Sequence, residues 1–213
     1  MDWEIVIAEN GSTDGTAAIA DALTKEFPKI FVNHFKEKGR GGALKRTWLQ
    51  SEADILTYMD ADLSSDLETF PALIESLAKD GHDLATGSRL LRPKLTTRSF
   101  KREFASRCYN ILVKAMLGVH FSDAQCGFKA ITSQAAGHLL PQVEDTGWFF
   151  DTELLVLGEK QGYRILDMPV KWVEQGESHV QMFSTAKADL AGLFRLRRKL
   201  QRETHGAKTR ETV

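Results

Sequence analysis

The chain has 213 residues, of which 42% are apolar and 27% charged, so it can bury a sizeable core within one domain. Its formal net charge of -1 provides no basic field for nucleic acid. No stretch approaches the roughly 18 apolar residues that span a bilayer, so membrane contact is expected to be peripheral or supplied by a transmembrane partner chain. Two cysteines, Cys108 and Cys126, and an opening without signal-peptide character point to a reduced, cytoplasmic setting.

Trp3 to Ala8 reads as a buried strand, since Ile5, Val6 and Ile7 run without a polar break. Gly11 to Gly15 carries turn chemistry, with Ser12 or Thr13 placed to cap a helix reaching Phe27. Ile30 to Phe35 predicts a second strand. A glycine loop (Gly39, Gly41, Gly42) and a short helix to Ser51 follow. Ile55 to Met59 is a third strand, Leu67 to Lys79 a helix and Asp83 to Gly87 a fourth strand. This alternation implies an α/β domain with a mostly parallel central sheet. Further on, Phe100 to Leu117 and Asp151 to Gln161 read as helices and Phe128 to Thr132 as a strand. Arg164 to Val173 is a strand interrupted at Pro169, and Thr185 to Leu200 is a helix. Residues 1–200 form one domain, with halves 1–95 and 96–200. Gln201 to Val213 is a polar tail expected to be disordered.

The sharpest chemical signal is Asp60-Ala61-Asp62, directly after an apolar strand. In extended chain, residues i and i+2 share a face, so both carboxylates can reach one point at the sheet's carboxyl edge, where open α/β sheets bind ligands. Two hard oxygen donors and the nearby Ser64 hydroxyl suit Mg²⁺ or Mn²⁺. A solvated turn with Asp66 capping the next helix is the alternative use of the same residues.

The surroundings carry a resemblance. Glu9-Asn10-Gly11-Ser12-Thr13-Asp14-Gly15-Thr16 resembles the D-D-G-S-T-D-G-T signature of family 2 glycosyltransferases. Asp60-Ala61-Asp62, Gly87-Ser88-Arg89, Asp123 to Lys129 and Phe149 to Leu154 then follow in order. The set is similar to the polyprenyl-phosphate branch, the dolichol-phosphate mannosyltransferase and glucosyltransferase type. The resemblance implies a GT-A fold, a Rossmann-like nucleotide half joined to an acceptor half. It also implies a divalent metal, Mg²⁺ or Mn²⁺, and inversion at the anomeric carbon. The implied substrates are a nucleotide-diphosphate sugar and a polyprenyl phosphate, with a saccharide or protein hydroxyl acceptor, or a non-catalytic nucleotide-binding remnant, as alternatives.

It further implies residue roles. Glu9 stands where the family places an aspartate against the donor base or ribose, one methylene longer here. The donor side takes in Glu9, Asn10, Ser12, Lys38, Arg40, Gly41, Asp60 and Ala61. Asp60 and Asp62 hold the metal, and Ser64 replaces a glutamine ligand. Arg89, Asp123 and Asp151 form the catalytic set. If the acceptor is a hydroxyl, Asp123 or Asp151 must act as base; a phosphate is already ionised and needs none. Basic residues after Arg89, namely Arg98, Arg102 and Arg107, are the expected acceptor-phosphate contacts. Nothing here resembles the family's opening strand and P-x-Y-N-E loop. The sequence starts at what would be the second strand, as a fragment or a late start would, and unpaired strand edges, with weak donor binding or poor solubility, are expected.

Overall fold

The computed structural model describes residues 2–62, 64–173 and 182–210. Strand β1 (Ile5–Asn10) pairs in parallel with β2 (Ile30–Phe35), and helix α1 (Thr16–Glu26) crosses between them. Helix α2 (Arg40–Gln50) leads to β3 (Ile55–Met59), α3 (Phe70–Ala78) and β4 (Leu84–Ser88). The short β5 (Thr96–Thr97) precedes α4 (Phe100–Leu117). Then come β6 (Phe128–Thr132), α5 (Ser133–Leu139), α6 (Phe150–Lys160), β7 (Ile165–Pro169), β8 (Trp172–Val173) and α7 (Met182–Arg210).

The central sheet is mixed. Its order is β3-β6-β4-β7, with β6 antiparallel to both β3 and β4, and β4 parallel to β7. Thus β3 and β4 both end at the same rim, and β6 threads back between them from that rim. This carries the Asp123-to-Lys129 segment to the ends of both strands. Among the described residues, β1 pairs only with β2 and β3 only with β6.

Two apolar clusters flank the sheet. The larger gathers Leu44, Trp48, Val113, Leu139, Phe149, Phe150 and Leu157; the smaller gathers Leu73, Leu77, Cys126, Phe128 and Val170. Every residue of α6 from Phe150 to Gly158 is buried. A helix enclosed on all sides must pair or hydrogen-bond its polar side chains, and Asp151, Thr152 and Glu153 lie on it.

Several expectations are corrected. Helix α1 starts after Gly15, without a side-chain cap from Ser12 or Thr13; instead Asp14 accepts the Thr16 N–H at 2.9 Å. Gly41 and Gly42 are not loop but the first turn of α2. A single 3-10 turn (Leu67–Thr69), capped by Asp66, precedes α3. Helix α7 is assigned as far as Arg210, within the segment 201–213 read as a polar tail, and residues 211–213 lie outside the described residues. Cys108, on α4, is exposed.

Candidate active site

Three elements converge on Arg40, at the start of α2. Its Nε and Nη2 donate to Asp60 Oδ1 at 3.1 and 2.8 Å, and its Nη1 to Asp151 Oδ2 at 2.6 Å. The guanidinium lies between two aromatic faces, 4.8 Å from the Tyr58 ring centre and 5.1 Å from that of Trp148. It therefore links the end of β3 to the first turn of α6. The approach is close because Gly41 has no side chain: a Cβ there would fall 2.4 Å from Phe150 Cβ.

Asp151 is 1% exposed. Besides Arg40 it accepts the Tyr58 hydroxyl and faces the Lys129 ammonium at 3.3 Å. Lys129, itself buried, sits opposite Tyr58 in the β3–β6 register. Burial alone would raise the Asp151 pKa, but Lys129 and Arg40, with Tyr58, hold it below the ordinary aspartate value. Asp123 is fully buried and receives Arg89 through both forks, Nε at 2.7 Å and Nη2 at 2.8 Å, plus the Arg89 N–H at 3.1 Å. Its pKa too is raised by burial and lowered further by Arg89, with the net shift downward. Arg89 also stacks over Trp172, 5.1 Å from the ring centre.

The two aspartates of the Asp60-Ala61-Asp62 turn are held differently. Asp60 is fixed by Arg40 and lies against the bare Cα of Gly127. Asp62 is exposed, and its Oδ1 accepts the Ser64 N–H at 2.9 Å. Ser64 is buried and its backbone is bound to β8 through Val173. Among the described residues, no group of three or more His, Cys, Asp or Glu gathers into a full metal shell.

At the carboxyl end of β1, Glu9 is buried, and its carboxylate takes the Ser12 N–H at 2.6 Å and lies 3.2 Å from His34 Nδ1. The extra methylene of glutamate is used to reach back to its own turn. Arg98, just before α4, and Arg107, on it, both close on Glu103, Arg107 Nε at 2.6 Å. The two cations share one anion, so this group keeps a surplus positive charge rather than two unengaged guanidiniums. Gln125 donates to Asp189 of α7 at 2.7 Å, and burial pushes Asp189 up to about 6. Cys126 packs in the core, and burial pushes its thiol up to about 12, which keeps it inert.

Sequence reasoning named Arg40, Asp60, Arg89, Asp123 and Asp151, and the fold brings them into two neighbouring ion-pair groups. It gave no role to Tyr58, Lys129 or Trp172. A lysine inside the apolar strand Phe128–Thr132 was the available signal, since a buried strand carries a cation only against a partner. Of the consecutive aromatics Trp148, Phe149 and Phe150, both phenylalanines are core, and Trp148 is exposed beside Arg40.

Residues 1–140 match the profile of Glycosyl transferase family 2. The chain belongs to that family. Among curated relatives, Glycosyltransferase AglD of Haloferax volcanii is 39% identical over 181 residues, covering 84% of this chain and 29% of that protein. Dolichyl-phosphate beta-glucosyltransferase ALG5C of Trichomonas vaginalis is 32% identical over 193 residues, covering 87% of this chain and 57% of that protein. Undecaprenyl-phosphate mannosyltransferase of Micrococcus luteus is 30% identical over 183 residues, covering 82% of this chain and 74% of that protein. The chain thus spans well under two thirds of the first two relatives.

Among solved structures, glucosyl-3-phosphoglycerate synthase from Mycobacterium tuberculosis in complex with UDP superposes with a TM-score of 0.68 at 18% identity, covering 90% of this chain and 68% of that one. The same enzyme with Mn²⁺, UDP and glucosyl-3-phosphoglycerate gives a TM-score of 0.66 at 17% identity, covering 91% and 68%. These likenesses establish the GT-A-like α/β fold of this family 2 chain.

One geometric consequence is testable. A Cβ on Gly127 would fall 1.8 Å from Asp60 Oδ2 and 2.4 Å from its Cγ. Gly127→Ala therefore forces the Asp60 carboxylate away from Arg40. In the transfer assay proposed below, this variant is expected to lose activity on the order of 10²-fold, the effect of displacing a positioned group by about an ångström. Steady-state rates with donor and acceptor saturating check it, and an unimpaired variant would show that Asp60 need not hold that position.

Proposed function

We propose that this family 2 chain transfers a hexose, with inversion, from a nucleotide-diphosphate sugar to a polyprenyl phosphate of the undecaprenyl or dolichyl kind. The names of the relatives support the acceptor class. The observation that carries the reading is the state of Asp123 and Asp151. Both are buried, engaged by cations and held below the ordinary aspartate pKa. A general base must be able to take a proton near neutral pH, and these two carboxylates are built to stay charged. An acceptor that is already an anion needs no such base; a phosphate monoester has its second pKa near about 6.

In this reading, Glu9, Asn10, Ser12, Lys38, Arg40, Gly41 and Ala61 form the donor side, and Arg89 faces the diphosphate. Arg98, Arg102 and Arg107 supply the positive field for the lipid phosphate. A single displacement at the anomeric carbon inverts it, and Asp151 and Asp123 fix the cations around the reacting groups.

The donor set also suits a hard divalent cation. Asp60 and Asp62 offer carboxylate oxygens, Ser64 lies beside them, and Mg²⁺ or Mn²⁺ commonly uses one or two carboxylates with water and substrate phosphate. When bound there, such an ion would stabilise charge on the leaving diphosphate.

No helix among the described residues is long and apolar enough to cross a membrane. Helix α4 exposes Phe100, Phe104, Cys108 and Ile111 about one turn apart, with Lys101 and Lys114 also exposed. This stripe would let the protein rest on the cytoplasmic face of a membrane, where its lipid acceptor is found.

The experiment offers labelled UDP-glucose or GDP-mannose with undecaprenyl or dolichyl phosphate and Mn²⁺, and extracts the product into organic solvent. Label is expected in the organic phase, with the anomeric configuration opposite to the donor's, and chelation of the metal is expected to stop its appearance. Label transferred only to water-soluble saccharide or protein would replace the acceptor class. Nucleotide binding without transfer to any acceptor would make the chain a remnant.

A further inference from the structure

His34 lies on β2 between two acids from different elements. Its Nδ1 is 3.2 Å from Glu9 Oε2 on β1, and its Nε2 is 2.9 Å from Asp21 Oδ1 on α1. A neutral imidazole carries one N–H and one bare lone pair. It can satisfy one of these carboxylates, but it turns a lone pair toward the other. Both contacts are favourable together only when the ring is an imidazolium. From α2, Thr47 accepts the Asn33 side-chain N–H, and the Arg46 guanidinium lies over the Phe35 ring, 4.7 Å from its centre.

The ring is tied to a turn. Glu9 is buried, and the oxygen that His34 does not face accepts the Ser12 N–H. The proton on His34 is therefore mechanically linked, through Glu9, to the segment that leaves the carboxyl end of β1. That turn lies against Lys38, two residues before Arg40: a Cβ on Gly11 would fall 3.6 Å from Lys38 Cγ.

We infer that His34 is a positioning residue whose imidazolium, strapped between Glu9 and Asp21, holds the β1–α1 turn in its nucleotide-binding shape, so that donor affinity falls as the ring loses its proton. The inference rests on the reading of Glu9 to Ser12 as the donor side. The sign follows from the contacts. Asp21 first, and then Glu9, raise the His34 pKa. The strap is complete below the ordinary histidine value of about 6.5 and is lost as pH rises through the raised one.

The test has two arms. The first follows the His34 ring by NMR against pH, with the resonance assigned through His34→Gln. The second measures UDP and GDP binding with Mn²⁺ by calorimetry from about pH 6 to about pH 9 for both proteins, bracketing histidine titration. The wild-type ring is expected to titrate above an exposed histidine. Wild-type nucleotide affinity should fall on the order of tenfold across that titration, as loss of a charge-assisted contact implies. His34→Gln should bind more weakly at low pH and show no such fall. Asp21→Asn, which keeps the Glu9 contact, should move the wild-type midpoint to lower pH.

A ring that titrates like an exposed histidine overturns the inference, as do parallel pH profiles for the two proteins. A raised ring pKa with pH-independent nucleotide binding overturns the positioning role while leaving the donor reading intact. Failure of both proteins to bind either nucleotide at every pH overturns the donor reading, and this inference with it.

Discussion

Replacing Asp151 with asparagine is expected to lower the melting temperature by on the order of 10 °C and to remove transfer activity. The carboxylate is buried and faces Lys129, Arg40 and the Tyr58 hydroxyl at once. Removing its charge leaves a lysine that is 2% exposed without a counter-ion. Breaking a buried pair from one side costs about 3–5 kcal/mol, which for a chain of this size corresponds to a shift of roughly that extent. A second substitution separates stability from catalysis. Adding Lys129→Met to Asp151→Asn removes the stranded cation, so much of the lost stability should return while activity does not. Thermal melts of the three variants check this. If Asp151→Asn melts like the wild type, Lys129 does not depend on this carboxylate.

Asp62→Ala is expected to do the reverse. Asp62 is exposed, and among the described residues its side chain accepts the local Ser64 N–H. Folding should be little affected, since surface substitutions usually stay within about 0.5 kcal/mol. Turnover should nevertheless fall by on the order of 10³-fold, because a Lewis acid at a leaving diphosphate is worth several kcal/mol. The Mn²⁺ concentration needed for half-activation should rise in parallel. If a variant with unchanged melting keeps Mn²⁺-activated turnover within about threefold of wild type, well under the tenfold that about 1.4 kcal/mol represents, the metal is not held at Asp62.

Both experiments probe residues that were readable from the sequence for different reasons. Asp60-Ala61-Asp62 is visible because a carboxylate pair after an apolar strand is local information. Helix α4 and strand β6 are also local: Val113 and Leu117 mark a buried helical face, and Phe128 to Thr132 is a short bounded run. The direction of β6 is not local. An antiparallel strand has the same period as a parallel one, so the mixed order of the sheet has no signature in its five residues. Gly41 and Gly42 read as loop because glycine is a poor helix former. Their reason for being in α2 is the segment 146–150, a hundred residues on, against which the helix start is pressed. Arg98 and Arg107 read as unengaged cations because their shared partner, Glu103, shows itself only when the helix is wound. The same holds for Glu9, whose two partners come from its own turn and from β2.

The enclosure of α6 bears on how this scaffold could be re-engineered. Nine consecutive buried positions, Phe150 to Gly158, leave that helix no freedom to shift without opening voids on every flank. Its two neighbours at the rim are different: Trp148 stands in solvent beside the guanidinium of Arg40, and the turn from Asp60 to Asp62 is mostly exposed. Libraries aimed at a different sugar should therefore diversify Trp148 and Ala61 and keep α6 constant, treating the helix as the fixed jaw of a vice and the rim as the adjustable one.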